Sequence, residues 1–387
     1  MTNHRGRAAT ALAGLVATAT VGLAVPAAAQ PKASPLQTSL HTSKVALLTG
    51  PGSINETDVR YRVRGTDLGI MWSDQRGNLL TAFGDTFGAN WTGSGSGAGT
   101  TSPARQDWRS NTLARSGDQD PSHGLAFDFV TDRPGHAKEL VPSLKRDNDE
   151  VSTIPTGGVN LDGRDYLAYM SVRHFGPSGG KWITNYSAVA CSDDGGQTWV
   201  SAPETRRPNT TAFDDHFQMI SYATRDGFVY VFGTPNGRFG SAYLARVPER
   251  QLLDQTAYQY WTGASWQRGS STIAAPIMPG PVGELSVRYD PALGSWLTTY
   301  LDESRHAIVL RLAPQPTGPW SPEIQLATAG TYPSLYGGFQ HPASHGTDIY
   351  FTMTQFSQYN VSLMHARLPR NVLDVLPGTV PAVPVGG

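Results

Sequence analysis

Apolar residues along this chain come in short runs broken by Gly, Asp, Asn or Ser, and no segment keeps an apolar stripe at the 3.6-residue period of a helix. Five stretches share one plan. A polar or Gly-rich lead enters a short apolar strand, a Gly/Asp/Asn turn follows, and a second strand carries alternating large residues. The second strands read NLLTAFGD (78–85), DYLAYMSV (165–172), FVYVFGTP (228–235), SWLTTYLD (295–302) and DIYFTMTQ (348–355). Third strands follow as RSNTLARS (109–116), NYSAVACS (185–192), GSAYLARV (240–247), RHAIVLRL (305–312) and NVSLMHARL (360–368). Four units add a weaker fourth strand, as an outer edge would, and the fifth unit does not. A surplus strand, KVALLTG (44–50), precedes the first unit, where it is placed to complete the last one. Repeats of four antiparallel strands predict an all-β, five-bladed β-propeller whose N-terminal strand closes the last blade.

SDDGGQTW (192–199) fits the Asp-box pattern Ser-x-Asp-x-Gly-x-Thr-Trp of sialidase-like propellers. Its residues suit a turn: Asp194 and Thr198 can bond turn amides, Gly196 allows positive φ and Trp199 packs between strands. The motif therefore speaks for the fold, on the face away from an active site, and not for catalysis.

Composition narrows the setting. Arg5 and Arg7, an Ala/Leu/Val/Gly run over 8–25 and small residues before Gln30 have the order of a secretory signal peptide, 1–29. Its removal takes away two arginines and no acid, moving the net charge from −1 to −3, so no footprint for nucleic acid or anionic lipid is expected. Cys191 is the only cysteine, which excludes an intrachain disulfide, and it reads as a small core hydrophobe. The expected organisation is signal peptide 1–29, flexible segment 30–43, propeller 44–370 and Pro/Gly-rich tail 371–387. The mature protein is expected to be a secreted or cell-wall-associated monomer, off the membrane, with neither metal nor cofactor.

In a propeller the starts of first strands, ends of second strands and starts of third strands meet at one mouth. Asp67 and Asp85 lie nine residues either side of Arg76, at the two ends of the first hairpin. In unbroken register they face each other with Cα atoms about 5 Å apart, and a bulge at Gly77 would shift this by one residue. Like charges so placed push at least one pKa upward, as glycoside cleavage by an acid and a base requires. Glu284 adds a third carboxylate at the mouth, as the acid or as a modulator of the pair. Arg109, Asn111, His174, Asn185, His216, Gln218 and Gln355 occupy the other mouth positions and are the expected substrate contacts. Amides and imidazoles beside Trp91 and Trp182 suit a neutral polyhydroxyl ligand.

VRGTDLGIMW, LLTAFGDTFG, WRSNTLARS, IPTGGV, MSVRHFG, WITNYSAVACSDDGGQTW, FGTPNGRFGSAYLARV and GGFQHP resemble a family of exported actinobacterial proteins. That family was long catalogued as a domain of unknown function and has since been placed among the glycoside hydrolases as endo-D-arabinanases. The resemblance spans roughly residues 44 to 370. It implies a five-bladed propeller that cuts internal α-D-arabinofuranosyl bonds of arabinogalactan and lipoarabinomannan. It also implies an essential aspartate pair on the first blade, falling here on Asp67 and Asp85. Strand position makes Asp67 the general base and Asp85 the general acid. The alternatives are another propeller glycosidase, of L-arabinanase or sialidase type, and a non-catalytic sugar-binding propeller. Acids concentrated in one blade favour an enzyme.

Overall fold

The computed structural model describes residues 1–2, 40–91, 93–96 and 103–369. By contacts the chain divides into Met1–Pro31 and Lys32–Gly387, and the second unit carries every element that follows. Apart from Met1 and Thr2, the expected leader lies outside the described residues, as does the 371–387 tail.

Five antiparallel sheets follow one another along the chain. Blade 1 is Leu68–Ser73, Leu79–Phe83, Thr112–Ser116 and Asp128–Phe129. Blade 2 is Ser152–Leu161, Arg164–Phe175, Trp182–Ser192 and Val200–Pro208. Blade 3 is Met219–Arg225, Phe228–Thr234, Tyr243–Pro248 and Gln259–Trp261, with a fifth strand, Trp266–Arg268, that the sequence pattern did not separate from the fourth. Blade 4 is Leu285–Asp290, Ser295–Asp302, Ala307–Ala313 and Ile324–Thr328. Blade 5 is Leu335–Gln340, Asp348–Gln355 and Val361–Arg367, completed by His41–Leu47. That closing strand starts three residues earlier than expected and pairs His41 with Arg367 through Leu47 with Ser362. The five-bladed propeller read from the repeats is the fold.

Burial explains the strand chemistry. Every residue of Leu79–Phe83 and of Ser295–Asp302 is buried, because a mid-sheet strand is covered on both faces by neighbouring blades. Alternation in these strands is therefore of size rather than polarity. The five inner strands abut in ring order. At one such contact a Cβ on Gly158 would sit 2.1 Å from the Trp72 ring, so only glycine lets blade 2 approach blade 1 this closely.

The SDDGGQTW turn joins the third and fourth strands of blade 2. Asp194 Oδ1 accepts from Ser192 Oγ and from the Thr198 amide, both at 2.8 Å, and Gly196 N donates to Ser192 Oγ at 2.9 Å. Trp199 then packs edge-on against Trp72, ring centres 6.4 Å apart, tying blade 2 to blade 1. Cys191, just before this turn, is only partly buried, and burial pushes its thiol up to about 11.

Candidate active site

Residues from all five blades enclose one cavity of about 830 Å³, at the end of the ring where second strands turn into third strands. Asp67 and Asp85 both line it, and the hairpin that carries them sets their relation. From Ser73–Leu79 to Ile70–Ala82 the two strands pair symmetrically about Arg76. The register then slips, so that Leu68 pairs with Phe83 and Gly84 N donates to Asp67 O at 3.2 Å. The slip falls at Gly69 (φ 86°), beside Leu68 (φ 70°), and not at Gly77, which sits in the turn with φ 95°. Asp67 thus stands opposite Gly84 and diagonal to Asp85, which corrects the face-to-face register expected from spacing; a β-bulge re-aims the side chains beyond it. The Gly65–Phe87 bridge restores the original count. Between the acids, Thr86 Oγ1 bonds Thr66 Oγ1 at 2.7 Å and Gly84 O at 2.8 Å, holding both strand ends.

Each carboxylate has its own surroundings. Asp67 is partly open, and Tyr336 donates its hydroxyl to Asp67 Oδ2 at 2.9 Å. The Tyr359 hydroxyl is a further partner. Asp67 Oδ1 packs against Gly84, where an added Cβ would meet it at 2.3 Å, and it has no hydrogen-bond partner. Asp85 is 3% exposed. Its Oδ1 accepts from Ser152 Oγ at 2.6 Å and from Trp108 Nε1 at 2.7 Å. The Lys145 ammonium lies over the Trp108 ring, 5.3 Å from its centre.

Within each environment burial and hydrogen bonding oppose one another, and burial prevails. Burial first, then the charge of Asp85, pushes the Asp67 carboxyl up to about 7, with a smaller push from Glu284 and against the two tyrosine hydroxyls. Burial likewise pushes Asp85 up to about 7, while Ser152, Trp108 and Lys145 favour its ionised form and Glu139 opposes them. Both carboxyls are thus held well above the ordinary carboxylate range, Asp67 in part by the charge of Asp85.

Glu284 lines the same cavity from blade 4. Its Oε1 accepts from Arg238 Nη2 at 2.6 Å and Nε at 2.8 Å. Arg238 also reaches Glu303 at 3.3 Å and lies 4.7 Å from the centre of the Tyr336 ring.

The structure brings the three acids together and places the seven expected substrate contacts elsewhere. None of the seven lines the cavity. Arg109 donates to the carbonyls of Arg62 and Ala137. Asn111 is fully buried and clamps the backbone of Val141, Thr153 and Leu140. His174 pairs with Asp147 at 2.7 Å, and Asn185 bonds Asp149 O and Ser171. His216 stacks on Tyr243, ring centres 3.6 Å apart, and Gln218 is fully buried among Thr184, Asp215 and Arg207 O. Gln355 donates to Pro333 O. In six of these cases a backbone carbonyl or a neighbouring polar group claims the side chain, and His216 is held by its aromatic neighbour. Conversely, Tyr336, Tyr359, Ser152, Trp108 and Arg238 act on the acids and were not singled out from sequence.

The profile of a domain of unknown function (DUF4185) matches residues 52–365. The chain belongs to the DUF4185 family. A relative of this DUF4185 protein, "Notoamide biosynthesis cluster protein J" of Aspergillus sp. (strain MF297-2), is 32% identical over 328 residues, covering 79% of this chain and 83% of that one. "Uncharacterized 35.9 kDa protein in asd 3'region" of Mycolicibacterium smegmatis is 24% identical over 285 residues, covering 71% and 75%. Among solved structures, a Bacteroides ovatus ATCC 8483 protein proposed to be a hydrolase superposes with a TM-score of 0.56 at 15% identity, covering 83% of this chain and 89% of that one. An exo-β-1,3-galactanase of Phanerochaete chrysosporium gives 0.50 at 9% identity, covering 86% and 65%. At such identities the DUF4185 propeller shares with these proteins its fold.

Proposed function

We propose that the protein is a secreted glycoside hydrolase that cleaves internal α-D-arabinofuranosyl linkages of arabinogalactan and lipoarabinomannan. The observation that carries the reading is the Asp67–Asp85 pair: two carboxyls in one enclosed cavity, each raised to about 7, one pushing on the other. Such a pair holds one proton near neutrality, which is the state glycoside cleavage needs. The arabinan preference draws on the motifs around both acids, GTDLGIMW and LLTAFGDTFG.

The surroundings reverse the roles suggested by strand position. Asp85 has two donors on one oxygen and a lysine nearby, so it is the better anion. Asp67 is pushed by Asp85 and by Glu284, so it keeps the proton. Asp67 then protonates the departing glycosidic oxygen, while Asp85 supplies the electron pair at the anomeric carbon, directly or through a water.

A second reading has its own support. Much of the cavity wall is apolar, with Ile154, Met170, Met219, Leu301 and Phe339 contributing, and a curated relative is named for a biosynthesis cluster. The same acid pair would then serve a smaller, more apolar substrate. Incubating the protein with purified arabinogalactan, beside Asp85→Asn as control, separates the two. A ladder of D-arabino-oligosaccharides absent from the control supports the polysaccharide hydrolase. An intact polymer removes that reading.

A further inference from the structure

The same cavity wall carries a second polar station besides the aspartate pair. Glu284 is 9% exposed and spends only Oε1 on Arg238; its Oε2 is buried with no hydrogen-bond partner. Trp182, another wall residue, has its indole Nε1–H buried and equally without a partner. The Arg238 guanidinium that grips Glu284 lies 5.7 Å from the centre of the Trp182 ring, so one cation holds both groups. Trp182 is itself fixed from behind, since Asn236 donates to its carbonyl at 2.8 Å.

A buried carboxylate oxygen lacking a donor and a buried N–H lacking an acceptor are both costly, and native proteins rarely leave either unmet. Here one unmet acceptor and one unmet donor belong to two residues of the same cavity wall. A hydroxyl group has the complementary chemistry for both, because it donates one hydrogen bond and accepts another. Arg238 meanwhile fixes Glu284 in place: its guanidinium occupies Oε1 through two donors and also reaches Glu303.

We infer that Glu284 Oε2 and Trp182 Nε1 form a hydroxyl-recognition subsite, which binds one ring hydroxyl of the sugar presented to Asp67 and Asp85 and so sets specificity. This rests on the glycosidase reading and refines it. Glu284 is a specificity-determining and positioning group, and the proton transfer belongs to the aspartates. A site built around a hydroxyl rejects the analogue lacking it, because its buried groups are then left unpaired.

The test measures binding rather than turnover, in the Asp85→Asn background so that ligand survives. An α-D-arabinofuranosyl oligosaccharide and a set of copies with each hydroxyl in turn replaced by hydrogen are titrated by calorimetry. One deoxy copy should bind about tenfold to a hundredfold more weakly than the parent, the range for hydrogen bonds to a charged group. Adding Glu284→Gln, which turns the acceptor into a donor, should weaken the parent by a similar factor and abolish the difference between parent and that copy. Trp182→Phe keeps an aromatic ring beside Arg238, removes the N–H with the smaller ring of the indole, and should lose part of the same discrimination, so the inference stays testable if Glu284→Gln folds poorly. Parent binding with full discrimination retained in both variants overturns the subsite and leaves the glycosidase reading standing. No binding of any arabino-oligosaccharide overturns the arabinan reading itself, and the subsite with it.

Discussion

Asp67 and Asp85 are held where a carboxylate pair is least comfortable, and the discomfort predicts both chemistry and stability. Asp67→Asn and Asp85→Asn should each fold and lose more than about a hundredfold in kcat, the low end for acid or base groups. The native carboxyls titrate near 7 against 3.8 ordinarily, so their stabilising contribution is full below about pH 4 and is lost as pH rises through 7. Asp67→Asn stays neutral throughout. It should match the wild-type melting temperature at pH 4 and exceed it at pH 8, as thermal scans will show; equal values at both would mean the pair carries no such tension. Tyr336→Phe separates the roles. Loss of its hydrogen bond raises the Asp67 pKa further, so with Asp67 as the acid the alkaline limb of the pH–rate profile moves to higher pH. Movement of the acidic limb instead would return Asp67 to the role of base. Gly84→Ala drives a methyl to 2.3 Å from Asp67 Oδ1 and should cost activity far more than stability.

Strands, rather than single residues, decide which of these features the sequence discloses. The hairpins, their turns and the closing strand follow from size alternation and Gly/Asp punctuation, and the inner-strand starts of blades 1 and 4 fall where those signals put them, at Asp67 and Glu284. Blades 2 and 5 mislead. Their first strands begin at Ser152 and Leu335, several residues ahead of the glycine pair Gly157–Gly158 in the one and just ahead of Gly337–Gly338 in the other. In the folded ring the first pair is no break: Gly158 lies mid-strand, where the neighbouring blade's Trp72 leaves no room for a Cβ. Ser152 and Tyr336 lie at those strand starts, while the Gln340 amide at the far end of its strand bonds Ser286 O and Leu297 O. The seven polar mouth residues lie outside the cavity lining for another reason. Position in a strand says which end of the blade a side chain occupies, and not whether a loop carbonyl has already claimed it. Gly158→Ala should therefore destabilise by about 1–3 kcal/mol, the cost of overpacking a full core, measured by urea unfolding. A neutral outcome would mean that the Trp72 contact is loose.

At the scale of the molecule, the cavity is a property of the closed ring. Each blade supplies wall to it, and the ring shuts through pairing of His41–Leu47 with Val361–Arg367. Deletion of residues 1–48 leaves blade 5 with three strands and a bare edge along Val361–Arg367. It should yield a chain that associates through that edge, seen in size-exclusion chromatography, and lacks activity even though both aspartates remain. A monomeric, active truncation would show that closure is dispensable. The pairing has a bearing on biosynthesis as well. Since the propeller's first strand is matched with nearly its last, a ribosome must finish almost the whole domain before blade 5 can form, and contacts so distant in sequence assemble slowly. The acid pair is encoded early, yet no nascent or clipped fragment can offer it a complete pocket: the cavity is finished in a single step, when His41–Leu47 pairs with Val361–Arg367.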